Sequence, residues 1–133
     1  MAYWLMKSEA DVFGWDDLVR DGKTEWDGVR NYTARQNLAA MQVGDEAFFY
    51  HSNVEKAVAG IMRVSRAGRP EGEDGKWVSV EVKPVRPVKR PVTLAEIKAE
   101  PKLADMALVR LSRLSVGPVT EAEWRLICKM AGL

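Results

Sequence analysis

The chain has 133 residues, 47% of them hydrophobic, and a formal net charge of +1. This length suits one domain, residues 1–133, that buries a single core. The near-neutral charge argues against a protein that coats nucleic acid through electrostatics alone. Cys128 is the only cysteine, which excludes an internal disulfide and favours a reducing, cytoplasmic setting.

The sequence offers few of the usual tools of an enzyme. His51 is the only histidine, so a site built from histidine and cysteine ligands is not expected, and we predict neither a metal nor another cofactor. No phosphate-binding loop, dinucleotide fingerprint or nucleophile elbow occurs, and we predict no catalytic residue. The first apolar run, Ala2 to Met6, ends at Lys7 and is too short for a signal peptide or a membrane span. We therefore expect a soluble monomer with no membrane partner.

Short strands and helices alternate in the first half of the chain. The predicted elements are a strand at Tyr3–Lys7, a helix at Trp15–Arg20, a helix at Asn31–Met41 and a strand at Glu46–His51. Asn31 is a favoured N-cap residue for the second helix, and Gly28 permits a turn just before it.

Strands dominate the middle of the chain, and helices return at its end. The predicted elements are strands at Val58–Arg66 and Trp77–Lys83 joined by a long tip over Gly68–Gly75, a short helix from the capping box Thr93–Glu96, a strand at Ala107–Val116 and a helix from the capping box Thr120–Glu123 to Gly132. Pro84, Pro87 and Pro91 each remove a donor from a strand ladder, which predicts an edge strand or extended arm at Lys83–Arg90. The order of elements indicates an α+β domain with a small, strongly curved sheet or barrel and peripheral helices.

The segment Trp26 to Arg35 is the most informative part of the chain. It places side chains that stack on a flat ring next to side chains that hydrogen-bond to the edge of such a ring. Three polar clusters also interrupt apolar strand sequence, at Lys7–Glu9, His51–Asn53 and Arg110–Arg113. If the strands close into one small barrel, these groups converge on a pocket for a flat heterocycle. The alternative is that the aromatic residues fill the core and each cluster is a solvated strand end.

Positive charge concentrates in the middle of the chain. Residues 60–90 carry eight Lys or Arg against four Asp or Glu. This excess is compatible with a phosphate-facing strip and equally with a solvated face of a sheet.

Four ordered segments, Tyr3–Glu9, Trp26–Tyr32, Phe49–Asn53 and Ser112–Val116, resemble the EVE domain, a PUA-like family related to the YTH and ASCH domains. Ala10 departs from the usual proline of the family, and Gln36 stands where a second asparagine is common. The resemblance implies a PUA-like β-barrel with flanking short helices and a pocket for a modified base of DNA or RNA.

The pocket implied by the resemblance agrees with the one inferred from residue types. The residues expected to line it are Lys7, Ser8, Trp26, Gly28, Val29, Arg30, Asn31, Tyr50, His51, Ser52, Asn53, Ser112, Leu114 and Ser115. Those expected to contact phosphates are Arg35, Lys83, Arg86, Lys89 and Arg90. A target base, such as a modified cytosine or adenine, would leave its stack at a cost of a few kcal/mol and stack on Trp26.

Two other functions remain open on the sequence alone. An ASCH-like enzyme acting on a modified nucleoside or RNA would use Lys7, Glu9 or His51 as a base. A protein-binding module would use an exposed edge strand, for which the proline-rich arm is poorly suited.

Overall fold

Six strands form a single sheet in the computed structural model, which describes residues 1–133. The strands are β1 Tyr3–Ser8, β2 Thr24–Trp26, β3 Glu46–His51, β4 Ala57–Glu71, β5 Trp77–Thr93 and β6 Val116–Val119. The helices are α1 Trp15–Asp21, α2 Tyr32–Ala40, α3 Leu94–Ala99, α4 Ala107–Arg110 and α5 Glu121–Met130, with a 3-10 turn at Pro101–Leu103. None of the helices combines the length and apolar character needed to cross a membrane.

The strands lie in the order β2-β5-β4-β3-β1-β6. The pairing of β1 with β3 is parallel, and every other neighbouring pair is antiparallel. The predicted α+β class is confirmed. Because β2 and β6 remain at opposite edges, the sheet is not closed by hydrogen bonds, and a barrel is not confirmed.

Both faces of the central strands are covered. Phe49 of β3 belongs to an apolar cluster with residues of α1 and α2, whereas its neighbour Phe48 belongs to a second cluster with residues of α3 and α5. Trp4 and Leu5 of β1 divide between the two clusters in the same way. Burial on both faces explains why β1 and β3 are continuous apolar runs and lack alternation.

A buried carboxylate fixes the start of β1. Asp45 is 4% exposed and accepts hydrogen bonds from the Trp4 indole at 3.1 Å and from the backbone N–H groups of Ala2 and Gln42. Burial alone would raise the pKa of Asp45, but these hydrogen bonds outweigh it and lower the pKa.

The sheet is curved enough to bring its edge over its centre. In a flat sheet, β2 and β3 would lie about 14 Å apart, three strand spacings. The rings of Trp26 on β2 and Phe49 on β3 nevertheless meet edge to face with their centroids 5.5 Å apart. Trp15 packs closely over β4 at Gly60, where a Cβ atom would lie 2.6 Å from the indole.

The proline-rich half of β5 lies at an edge, as predicted. β2 pairs only with Val80 to Val82, so residues beyond Val82 have β4 as their sole strand neighbour. The backbone N–H groups of Lys89 and Arg90 donate to the carbonyl of Ala131 at the end of α5. Both predicted capping boxes, at Thr93 and Thr120, are also confirmed.

Two sequence predictions are wrong. The segment Ala107–Val116 is not a strand, because Arg110 and Leu111 donate back to the carbonyls of Met106 and Ala107 and form α4. Apolar alternation is too short there to distinguish one helical turn from a strand. The β4–β5 tip is also shorter than predicted, since β4 continues to Glu71.

Replacing Gly60 with alanine should reduce the free energy of unfolding by about 1–3 kcal/mol, because the new methyl group overlaps the buried Trp15 ring. Gly117→Ala is the control, since its Cβ would meet the flexible end of Leu114 at 3.2 Å and the Cβ of Ala107 at an ordinary contact distance of 3.5 Å. Urea denaturation of the two variants measures the difference. Equal losses would contradict the close packing of Trp15 on β4.

Lowering the pH below about 6.5 should destabilise the wild-type protein more than His51→Gln. The Nε2 atom of His51 accepts a hydrogen bond from the Trp15 backbone N–H at 3.1 Å. Burial lowers the pKa of His51 and outweighs the negative charges of Asp16 and Glu55, which would raise it. This stabilisation is present above the unfolded-state pKa of about 6.5 and is lost as the pH falls through the folded-state pKa. Denaturation at pH 7.5 and pH 5 compares the two proteins, and parallel losses would show that His51 is not the group responsible.

Candidate functional site

A cavity of about 600 Å³ opens between the end of β1 and the segment that follows β2. This volume lies in the range of small-molecule sites. Its lining comprises an apolar wall and both acidic and basic groups: Lys7, Ser8, Glu9, Val12, Phe13, Thr24, Glu25, Trp26, Asp27, Gly28, Val29, Arg30 and Ser115. We call it the first cavity.

Aromatic rings form the wall of the first cavity. Trp26 and Phe13 both line it, and both pack on the buried ring of Phe49 behind them, with centroid separations of 5.5 and 6.4 Å. Trp26 is 8% exposed, and its indole N–H makes no hydrogen bond within the chain. No fully buried side-chain N or O atom lacks a hydrogen-bond partner. The N–H group is therefore not fully buried and remains free to donate.

An ionic network holds the short strand that carries Trp26. One oxygen of Glu25 accepts hydrogen bonds from Arg66, Arg69 and Ser79, each at 2.8 Å. The Ser79 hydrogen bond is the main cause of the lowered pKa of Glu25, and the two arginines act in the same direction. Glu25 thus stays ionised and ties β2 to the β4–β5 hairpin.

The chain turns at Gly28 and is then fixed at two points. Gly28 has φ +74°, a conformation that favours glycine. Arg30 makes a two-pronged ion pair with Glu71, at 2.8 and 3.0 Å, and its guanidinium lies over the Trp77 ring. Asn31 accepts from the Ala34 N–H at 2.9 Å, which confirms it as the N-cap of α2.

The opposite wall comes from the end of β1. Ser8 donates to the carbonyl of Phe13 at 2.6 Å and so shapes the loop that brings Phe13 to the cavity. Lys7 donates to the carbonyl of Ser112 at 2.8 Å. Burial lowers the pKa of Lys7, and the positive charge of Lys56 lowers it further.

A second cavity, of about 420 Å³, adjoins the first, and Lys7, Glu9 and Ser115 line both. Its lining is rich in cations and hydroxyl groups: Lys7, Glu9, Tyr50, Ser52, Lys56, Leu94, Lys98, Leu108, Ser112, Arg113 and Ser115.

The structure divides the predicted pocket between several places. The predicted pocket residues that line the first cavity are Lys7, Ser8, Trp26, Gly28, Val29, Arg30 and Ser115. Tyr50, Ser52 and Ser112 line the second. Asn31 and Leu114 lie in a shallower depression beside α2.

The predicted pocket residues His51 and Asn53 line neither of the two cavities, nor the depression beside α2. The Nε2 atom of His51 accepts a hydrogen bond from the Trp15 backbone N–H. Asn53 accepts from the Ala10 N–H at 2.7 Å and donates to Asp11 at the same distance, so it holds the loop after β1. Both side chains shape the backbone around the first cavity from outside.

The predicted phosphate contacts also lie away from both cavities. Arg35 donates to the carbonyl of Lys76 and lies over the Tyr32 ring. The others project from the edge half of β5: Lys83, Arg86, Lys89 and Arg90. Arg90 is occupied by an ion pair with Glu96.

Several lining residues were not predicted. Val12 and Phe13 are an apolar pair within a polar loop, a signal that the sequence does contain. Lys56 and Lys98 come from two separate segments and have no common sequence pattern, so only the fold reveals them. Arg113, which also lines the second cavity, belongs to the polar cluster Arg110–Arg113 that the sequence indicated.

Comparisons with known proteins place this geometry in a family. A model of the EVE domain matches residues 2–130. Thymocyte nuclear protein 1 of Homo sapiens is 36% identical across 97% of this chain and 73% of that protein. A solved structure of a protein from Rhodopseudomonas palustris is 51% identical, with a TM-score of 0.94 over 99% of this chain and 94% of that chain.

A further solved structure contains a ligand. It is human THYN1 protein in complex with 5-methylcytosine containing DNA, 35% identical, with a TM-score of 0.91 over 100% of this chain and 99% of that chain. With the family model covering nearly the whole sequence, this chain belongs to the EVE domain family.

Proposed function

We propose that this protein binds nucleic acid by receiving one modified base in the first cavity, without catalysing a reaction. The observation that carries the proposal is the cavity itself, which combines two aromatic side chains, Phe13 and Trp26, with polar groups at its rim. The THYN1 relative bound to DNA containing 5-methylcytosine supports it, because its fold covers the whole of this chain.

The lining of the first cavity supports this proposal with a hydrogen-bond donor, an acceptor and apolar surface. The Trp26 indole supplies an N–H donor, and the carboxylate of Asp27 is exposed and lines the same space. Carboxylates accept from the exocyclic amino group of cytosine. Val12 and Phe13 provide apolar surface for an added methyl group.

A binding role fits the chemistry better than catalysis. His51, the only imidazole, lines neither cavity, and its accepting nitrogen is bonded to the backbone of α1. Lys7 is a donor to a carbonyl and lies next to the charge of Lys56. Neither group is paired with a nucleophile in the way that acid-base or covalent catalysis requires.

The wild-type protein should bind a single strand with one 5-methylcytosine about fourfold more tightly than the same strand with cytosine. Burying one methyl group contributes about 0.8 kcal/mol, which gives a ratio of this size. Fluorescence anisotropy with labelled strands of identical sequence measures the two dissociation constants. Equal constants would contradict recognition of this modification, and the same titration with a methylated adenine tests the other base.

Trp26→Phe should weaken binding of the modified strand roughly fivefold, because it removes an N–H donor worth about 1 kcal/mol and keeps a ring against Phe49. Trp124→Phe is the matched control, since Trp124 lies in the other apolar cluster and lines neither cavity. Thermal unfolding shows whether either variant loses its fold. Unchanged binding by a folded Trp26→Phe protein would exclude the first cavity as the base site.

A further inference from the structure

Four cationic side chains converge on the second cavity without a carboxylate partner. They are Lys7 from β1, Lys56 before β4, Lys98 from α3 and Arg113 after α4. None of them makes an ion pair within 4.0 Å, whereas most arginines elsewhere in the chain do. Glu9 is the only acidic residue in the lining, so the cavity carries uncompensated positive charge.

A buried tyrosine lines the same space. Tyr50 is 2% exposed and lines the second cavity, and its hydroxyl has no hydrogen-bond partner within the chain. Burial raises the pKa of Tyr50, so the hydroxyl keeps its proton and remains a donor. A donor group on a residue that lines a cationic cavity is complementary to an anion that carries acceptor oxygens.

We propose that the second cavity binds a phosphate group of the strand whose modified base occupies the first cavity. This inference rests on the proposed function, and it assigns phosphate contact to Lys7, Lys56, Lys98 and Arg113 in place of the edge of β5. The two cavities share Lys7, Glu9 and Ser115 as a common boundary. A phosphodiester follows each nucleotide at the distance of one sugar, so adjoining sites for base and phosphate match the covalent spacing of the ligand.

Phosphate contacts set affinity and register, whereas contacts to the base set selectivity. The second cavity is therefore expected to act equally on modified and unmodified strands.

The test is the salt dependence of binding by Lys56→Gln/Lys98→Gln. Both lysines are exposed in the structure, so their replacement leaves the core intact. Losing the contact to this one phosphate reduces the steepness of log K against log salt by about 0.7 for a single strand, which is the largest reduction expected for the double variant. Anisotropy titrations from about 50 to about 200 mM salt, with the 5-methylcytosine strand and its cytosine counterpart, measure the slope.

Lys102→Gln/Lys129→Gln is the matched control, because it removes the same charge from two exposed lysines outside both cavities. Its slope should stay close to that of the wild-type protein. If the two double variants have equal slopes, the phosphate site is overturned.

The measurements separate this inference from the proposed function. Retained preference for the modified strand with an unchanged slope overturns the phosphate site alone. If the slope depends on Lys56 and Lys98 but the protein binds the modified and unmodified strands equally, recognition of the modified base is overturned and the phosphate site in the second cavity is supported. No binding to either strand overturns both.

Discussion

Four aromatic rings, from Phe13, Trp15, Trp26 and His51, surround the buried ring of Phe49, with centroids 5.5 to 6.4 Å from it. These rings come from the loop after β1, from α1, from β2 and from the end of β3, so one side chain joins elements that are remote in the sheet. Because β2 is an edge strand, its contact with Phe49 holds the sheet in its curved form. The first cavity exists only where that curvature brings Trp26 opposite the end of β1.

The wall of the first cavity is held from several directions before any ligand arrives. Glu25 fixes the strand through Arg66, Arg69 and Ser79, and Arg30 fixes the following turn through Glu71. Individual exposed ion pairs contribute little to stability, but a shared network restricts the conformations of the segment that it joins. Binding then costs less ordering entropy, since the groups that touch the ligand are already placed.

The sequence predicted local features well and long-range proximity poorly. The Asn31 cap, the turn at Gly28 and both capping boxes depend on neighbours within a few residues, and each is present. The prediction of a strand at Ala107–Val116 is wrong, because an apolar pattern of that length is compatible with both the helical period of 3.6 and the strand period of 2. His51 looked like a pocket group because it sits in a polar cluster, but its hydrogen bond to Trp15, 36 residues away, depends on how α1 packs on the sheet.

Net charge also proved a poor guide to where an anion is favoured. The chain is nearly neutral overall, yet its carboxylates are distributed unevenly among its cations. Glu25 and Glu96 neutralise arginines of the hairpin and the β5 edge, the region where the sequence shows its positive excess, and Glu71 neutralises Arg30 of the turn. The cations around the second cavity come from segments with no local excess and lack such partners, so the potential there is set by the fold. A chain with almost no net charge can therefore present a strongly cationic cavity. The interaction with an anion depends on how far each charge lies from it and on whether an opposite charge lies nearby, and the net charge records neither quantity.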